Sequence, residues 1–315
     1  MNVQVKEKNI NRTTLRTIDK IFKVIVITLM VLYAISLFLP ILWMVYTSIK
    51  HDNDFILYPL SFPGLLREDG TRIGVHFENY ADLIRKFNYT VTKEGVGLVQ
   101  FGIVEMFLYS MIWCIGTPLI QTFFLCLCGY IMQHYKFPGR ELLYFIGIVL
   151  MITPIVGTMP AQMVLYKKIG LYDNLIGQIL KSGSGQFYGV HFLLFHAAWK
   201  SIHWAYAEAA YIDGANNFQV FTKVMFPMII PTFVTIFVLG FITAWNDYST
   251  FLVWLPSYPN IALGLYMFQY NAALYMIGTP TLLAGFTVAA IPTTTMYLIF
   301  RKTIMSKFTV GGLKG

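Results

Sequence analysis

Charge is what this chain has least of. Only 12% of its 315 residues are charged, with 15 acidic groups against 23 basic ones. An ordinary soluble domain carries about twice that fraction, so the composition excludes that class. Cysteine is nearly as scarce. Cys114, Cys126 and Cys128 all fall in one apolar run. They lack the paired spacing and the polar surroundings a metal site needs, and read as small packing residues. No G-x-x-x-x-G-K-[ST] phosphate loop is present, so the chain carries no nucleotide engine of its own. No Ser/His/Asp or Cys/His set, no paired catalytic carboxylates and no H-E-x-x-H motif stands out, which excludes an enzyme acting alone. The net charge of +8 does not point to nucleic acid, because the basic residues flank apolar runs instead of forming a separate basic module.

What remains is apolar. Hydrophobic residues make up 57% of the chain and the mean hydropathy is +0.61. Because a membrane crossing needs about 20 apolar residues, this length fits several spans joined by short loops. The fold class is therefore all-α: a polytopic membrane protein with six transmembrane helices. The spans read as Ile21 to Tyr46, Val104 to Ile131, Leu142 to Tyr166, Phe187 to Trp204, Pro231 to Trp254 and Thr281 to Phe300. Lys6, Lys8, Arg12, Arg16 and Lys20 before the first span, and Arg301, Lys302, Lys307 and Lys314 after the last, place both termini in the cytoplasm by the positive-inside rule. Lys136 and Arg140 agree, whereas Lys167 and Lys168 land outside against the rule.

The expected organisation is a cytoplasmic tail (1–20), a first transmembrane helix (21–46), an extracellular segment (47–103), a five-helix core (104–301) holding a cytoplasmic loop (201–230), and a second cytoplasmic tail (302–315). The first apolar run is too long for a signal-peptide core and has no small-residue cleavage site, so it should remain as an anchor. The extracellular segment is too polar to cross. Its FENYADLIRKF piece, Phe77 to Phe87, is weakly helical, and SGSGQ, Ser182 to Gln186, reads as a flexible hinge.

The cytoplasmic loop is polar between two apolar runs, and its helix signals are local. Ser201 to Ile212 is rich in alanine and aromatics, and Gly214 can take the positive φ that ends a helix and reverses the chain. Asn216 can cap a second helix with Gln219 as its capping-box partner, and Phe218, Phe221 and Val224 recur near helical spacing. Pro227 should halt that helix, and Pro231 suits the first turn of the next span. By spacing alone this is a helix, turn, helix elbow at the inner face, of the kind an amphipathic interfacial element also forms.

Asp247 interrupts an apolar run, where a charge near mid-membrane costs about 2.5–3.5 kcal/mol on insertion scales, so it should face protein or water. Trp245, Asn246 and Asp247 read either as the lining of a polar route through the membrane or as a buried hydrogen-bonded packing site. Gly240 with Ala244, and Gly285 with Ala289, form small-xxx-small pairs suited to close helix packing. Pro154, Pro160 and Pro292 are expected to kink their helices.

The spacing of Glu208, Ala209, Ala210, Gly214, Val224, Phe226 and Pro227 resembles the EAA loop of binding-protein-dependent ABC importer permeases. FPGR at Phe137 to Arg140, AWNDY at Ala244 to Tyr248 and GGLKG at Gly311 to Gly315 look like the maltose-type carbohydrate permeases, specifically the smaller six-span subunit. The likeness covers most of the chain from Phe77 onward. It implies the type I permease fold in a bacterial cell membrane, with a coupling helix docked on an ATP-binding subunit through Glu208, Ala209, Ala210, Asp213, Gly214, Ala215, Phe218, Phe221 and Pro227. It further implies two ATPase subunits, a homologous permease subunit, an extracellular substrate-binding protein and a carbohydrate substrate. No cofactor is then bound by this chain, and ATP and Mg sit on the partner ATPase subunits. The rival class, an ion-coupled secondary transporter working without an ATPase, should show paired inverted repeats and midplane ionisable groups, and only Asp247 answers that description.

Overall fold

The computed structural model describes residues 2–65, 67–93, 97–153, 157–184 and 189–308. They form two compact units, one within Met1–Leu83 with Met276–Thr287, the other within Ile84–Tyr275 with Val288–Gly315. Among the described residues, four helices are long and apolar enough to cross a membrane: Asp19–Thr47, Ile103–His134, Asn217–Trp245 and Thr279–Met305.

The first unit begins with α1 (Asn2–Thr47). Helix thus continues unbroken through the stretch read as a separate tail. Its apolar window has no buried share, as expected of a helix whose solvent is lipid. Beyond α1 the polar segment is held by a buried cation. Lys50 is fully buried, and its Nζ donates to the carbonyls of Tyr58 at 2.7 Å and Pro59 at 3.2 Å, 5.2 Å from the Tyr46 ring centroid. Burial lowers its pKa from the ordinary lysine value. Asn79 donates to the carbonyls of Ser48 at 2.9 Å and Lys50 at 2.7 Å, which ties the start of α3 (Glu78–Lys86) to the end of α1. In α2 (Asp52–Leu57) the buried Asp54 pairs with Arg67. The segment too polar to cross is thus held together by its own hydrogen bonds.

The second unit opens with a hairpin, β1 (Tyr89–Lys93) and β2 (Gly97–Phe101), antiparallel with Tyr89 opposite Phe101 and Val91 opposite Val99. Then comes α4 (Ile103–His134), the central post. Two helices pack closely on it. Where α8 (Val190–Lys200) crosses, a Cβ placed on Gly129 would lie 3.0 Å from Phe195 Cβ and 3.1 Å from Trp199 Cδ1. Where α11 (Phe226–Trp245) crosses, a Cβ on Gly240 would lie 2.9 Å from Pro118 Cβ. Missing side chains at these two glycines let the backbones approach, the packing mode of helices in lipid. Phe87 and Met106 close in the same way on Gly264 of α13 (Ile261–Tyr270).

Three expected spans need correction. Leu142 to Tyr166 is divided into α5 (Arg140–Ile152) and α6 (Met159–Lys168), with Pro160 in the first turn of α6 and Pro154 outside the described residues. Among the described residues, Phe187 to Trp204 contains the 11 residues of α8, preceded by α7 (Leu175–Lys181), and the SGSGQ hinge falls partly outside the described residues. Pro231 to Trp254 is displaced, because the helix starts at Asn217, ends at Trp245, and is followed by a separate α12 (Ser249–Trp254). By contrast α14 (Thr279–Phe308) runs through the expected last span with Pro292 inside it.

The candidate coupling elbow

Between α8 and α11 the chain folds into a compact reversal. Helix α9 (Ala205–Ile212) ends on Asp213, and Gly214 takes φ +84°. The amide of Gly214 then donates to Tyr211 O and that of Ala215 to Ala210 O, both at 3.0 Å. These two bonds make a Schellman ending, which satisfies carbonyls that a helix end leaves free and requires a left-handed residue at the position of Gly214. Two residues later the expected capping box is present. Asn216 Oδ1 accepts from the Gln219 amide and Gln219 Oε1 from the Asn216 amide, each at 2.9 Å. The Tyr211 hydroxyl donates to Asn217 Oδ1 at 2.8 Å and straps the two arms together. Replacing Asn216 by alanine should cost about 0.5–2 kcal/mol of local stability. Hydrogen exchange at the amides of Asn217 to Gln219 is the check, and unchanged protection there would contradict it.

The second arm corrects the sequence reading at Pro227. After α10 (Asn217–Gln219) the backbone widens into a π-helical segment, Val220–Met225, and passes into α11 without a break. Phe226 N–H reaches back to Phe221 O, one residue further than in an α-helix. The wider turn lets the proline ring, which clashes with the carbonyl four residues back in a regular helix, enter the first turn of α11. Pro231 lies inside α11 instead of opening it, with Thr235 Oγ1 donating to its carbonyl at 2.8 Å.

An aromatic socket carries the elbow. Trp199, fully buried, donates its indole N–H to Cys126 O at 2.9 Å. Around it stand Tyr130, with ring centroids 4.9 Å from both Trp199 and Phe221, and His134, stacked at 4.8 Å on Trp204. Ala207, Val220 and Met225 are buried in the same cluster, with Ala210, Ala215 and Phe221 packed against it. Sequence reading missed this socket. The available signal was Tyr130 and His134 one helical turn apart at the end of an apolar run, with Trp199 and Trp204 flanking the loop.

The outward face is uncovered. Glu208, Ala209, Asp213, Gly214 and Pro227 are exposed, Phe218 is 75% exposed and Ile212 86%. A short rigid helix thus stands on a buried base and presents two carboxylates beside apolar side chains.

The residues read as a sugar route part company. Trp245 is buried, donates Nε1–H to Ala289 O at 2.9 Å and stacks on Phe241. It packs helices together. Asn246 is exposed and donates to Ile242 O at 2.8 Å. Asp247 lies past the end of α11, not inside a span, and its carboxylate accepts from Ser249 Oγ and the Thr250 amide, both at 3.0 Å, at the start of α12. The Asn260 amide donates to its carbonyl at 2.9 Å.

Comparison with known proteins defines the class. The model of the binding-protein-dependent transport system inner membrane component matches residues 126–305, from the second half of α4 through the elbow into α14. The chain belongs to this family. It is a multi-pass permease subunit of an ABC importer in the inner membrane, and not itself the ATPase. Among particular relatives, it is 24% identical over 296 residues to a diacetylchitobiose uptake system permease protein of Streptomyces coelicolor, covering 93% of this chain and 89% of that protein. It is 29% identical over 297 residues to a trehalose transport system permease protein of Mycobacterium tuberculosis, covering 91% and 95%. In structure it resembles a chain of a bacterial ABC transporter involved in the import of the acidic polysaccharide alginate, with a TM-score of 0.66, 22% identity, and 90% and 96% of the two chains covered.

Proposed function

We propose that this permease subunit carries a sugar or oligosaccharide, in an importer that joins it to a homologous permease subunit, two ATP-binding subunits and an extracellular binding protein. ATP and Mg are held by the ATPase chains, and this chain binds no cofactor. The relatives named for diacetylchitobiose and trehalose support the substrate class. Six crossings with both termini in the cytoplasm follow if α5 with α6, and α7 with α8, serve as two interrupted spans beside the four long helices. Asn246 and Asp247, neither of them buried, line the route, and Trp245 braces it from behind.

The single observation that carries the coupling role is the contrast between the elbow's buried base and its bare outer face. Glu208, Ala209, Ala210, Asp213, Gly214, Ala215, Phe218, Phe221 and Pro227 are the residues of this joint. The exposed carboxylates offer charge-assisted bonds to a docking cleft, and the small alanines allow close approach. Replacing Gly214 by valine is the test. Nothing lies within 4 Å of a Cβ there, so the substitution acts through the positive φ alone, at a cost of about 1–3 kcal/mol. The expected result is an inserted permease that either releases the ATPase chain in a pull-down or hydrolyses ATP without uptake. Normal assembly and uptake would refute the lever, and binding of the elbow to lipid without an ATPase would favour a surface helix.

A further inference from the structure

Three tyrosines far from the elbow stand in a row. Tyr266 and Tyr270 lie one helical turn apart on α13, and Tyr248 precedes α12. The rings of Tyr248 and Tyr266 are stacked, with centroids 4.5 Å apart and planes 11° from parallel, and those of Tyr266 and Tyr270 follow at 6.5 Å and 17°. Neighbouring rings thus keep nearly one orientation along the row. Tyr248, Tyr266 and Tyr270 are 40, 38 and 75% exposed, so the row is bare.

The contacts of α13 fix which way the row runs. At its start the Asn260 side-chain amide donates to Asp247 O at 2.9 Å and the Ile261 backbone amide to Ser110 Oγ at 2.8 Å. One turn on, Gly264 lies against Met106, and near the end Phe268 meets Phe87, which precedes β1, with ring centroids 5.5 Å apart. Helix α13 therefore climbs antiparallel to the opening turns of α4, from Asp247 toward the hairpin. Its 10 residues rise about 15 Å. In the proposed topology α4 begins outside, so the row leads from the outer surface inward to Asn246 and Asp247.

The chemistry of this face argues against lipid as its cover. The exposed residues of α13 are Tyr266, Gln269 and Tyr270, with no large aliphatic side chain among them. On α4, by contrast, Leu108, Ile112, Ile115 and Leu119 form an exposed stripe of the kind that lipid or an apolar partner covers. A pyranose ring has an apolar face of C–H groups and a polar rim of hydroxyls. Aromatic surface matches the face, while tyrosine hydroxyls and the side-chain amides of Gln269 and Asn246 match the rim. Each such contact is weak, and rings aligned in series can hold a saccharide chain while letting it advance. We propose that Tyr248, Tyr266 and Tyr270 form an aromatic guide along which an oligosaccharide passes from the outer mouth to Asn246 and Asp247. This rests on the sugar-permease reading given above.

The test is uptake of radiolabelled trehalose, diacetylchitobiose and maltotriose into proteoliposomes holding the assembled transporter, with its binding protein outside and ATP inside. Tyr266→Leu and Tyr270→Leu remove the ring but keep an apolar side chain, and each should lower uptake by about threefold. Tyr266→Phe and Tyr270→Phe should keep most of it. ATP hydrolysis, melting temperature and recovery of the homologous permease subunit in a pull-down should stay at wild-type levels in all four. Unchanged uptake in both leucine variants overturns the guide alone and leaves the tyrosines as interfacial anchors. Equal losses in the phenylalanine and leucine variants also overturn it, since ring surface would then not be what counts. A leucine variant that loses melting temperature or the partner subunit marks a packing contact instead of a route. Wild-type transporter that imports none of the three sugars strikes the sugar reading itself, and the guide with it.

Discussion

Replacing Trp199 by alanine is expected to destabilise the permease by about 3–5 kcal/mol and to abolish ATP-coupled uptake. The side chain is fully buried and forms the hub of the socket, touching the α4 aromatics, Phe221 of the π-helical segment and, through its N–H, the carbonyl of Cys126. Truncation removes the largest fully buried side chain among the described residues and leaves a void between α4, α8 and the elbow. Phenylalanine at this position separates the contributions. It keeps most of the packing and loses one hydrogen bond, worth about 0.5–1.5 kcal/mol. Thermal unfolding of the purified transporter should therefore rank alanine well below phenylalanine, with wild type highest. An alanine variant that melts and pumps like wild type would show that the elbow rests on something else.

The second large effect is expected at Gly240. Substituting alanine for an interior helical glycine normally stabilises by about 1 kcal/mol through backbone entropy. Here the added methyl would sit 2.9 Å from Pro118 Cβ, inside van der Waals contact, and a proline ring has no rotamer by which to move aside. Overpacking costs about 1–3 kcal/mol, so the net change should be a loss. Leucine should go further, forcing α4 and α11 apart and preventing a stable complex. Gly240→Ala and Gly240→Leu are compared by yield and by melting temperature. A gain in stability for alanine would mean that the crossing is looser than its geometry.

Much of the elbow was legible because its signals are local. Asn216 and Gln219 bond each other across three residues, and Gly214 turns the chain on its own φ. Ile103–His134 and Thr279–Met305 were legible for a similar reason, since continuous apolar length needs no partner to be recognised. Pro227 misled because the π turn that admits it lies upstream, and no residue type marks such a turn. Asp247 misled because hydropathy continues past Trp245 while the helix stops, so composition hid the break. The hairpin was overlooked although Tyr89, Val91, Val99 and Phe101 alternate, because each arm is only five residues long and the pairing that joins them shows only in the fold. The socket was least legible, since Trp199 meets Cys126 across 73 positions of chain.

The double stitching between Ala210 and Ala215 and between Asn216 and Gln219 leaves this joint little slack, and a stiff linkage works equally well in either direction. With the elbow docked on the ATPase chains as proposed, cargo settling on the far side of the bundle would shift nucleotide binding by as much as nucleotide shifts cargo binding, because coupling between two binding events is reciprocal.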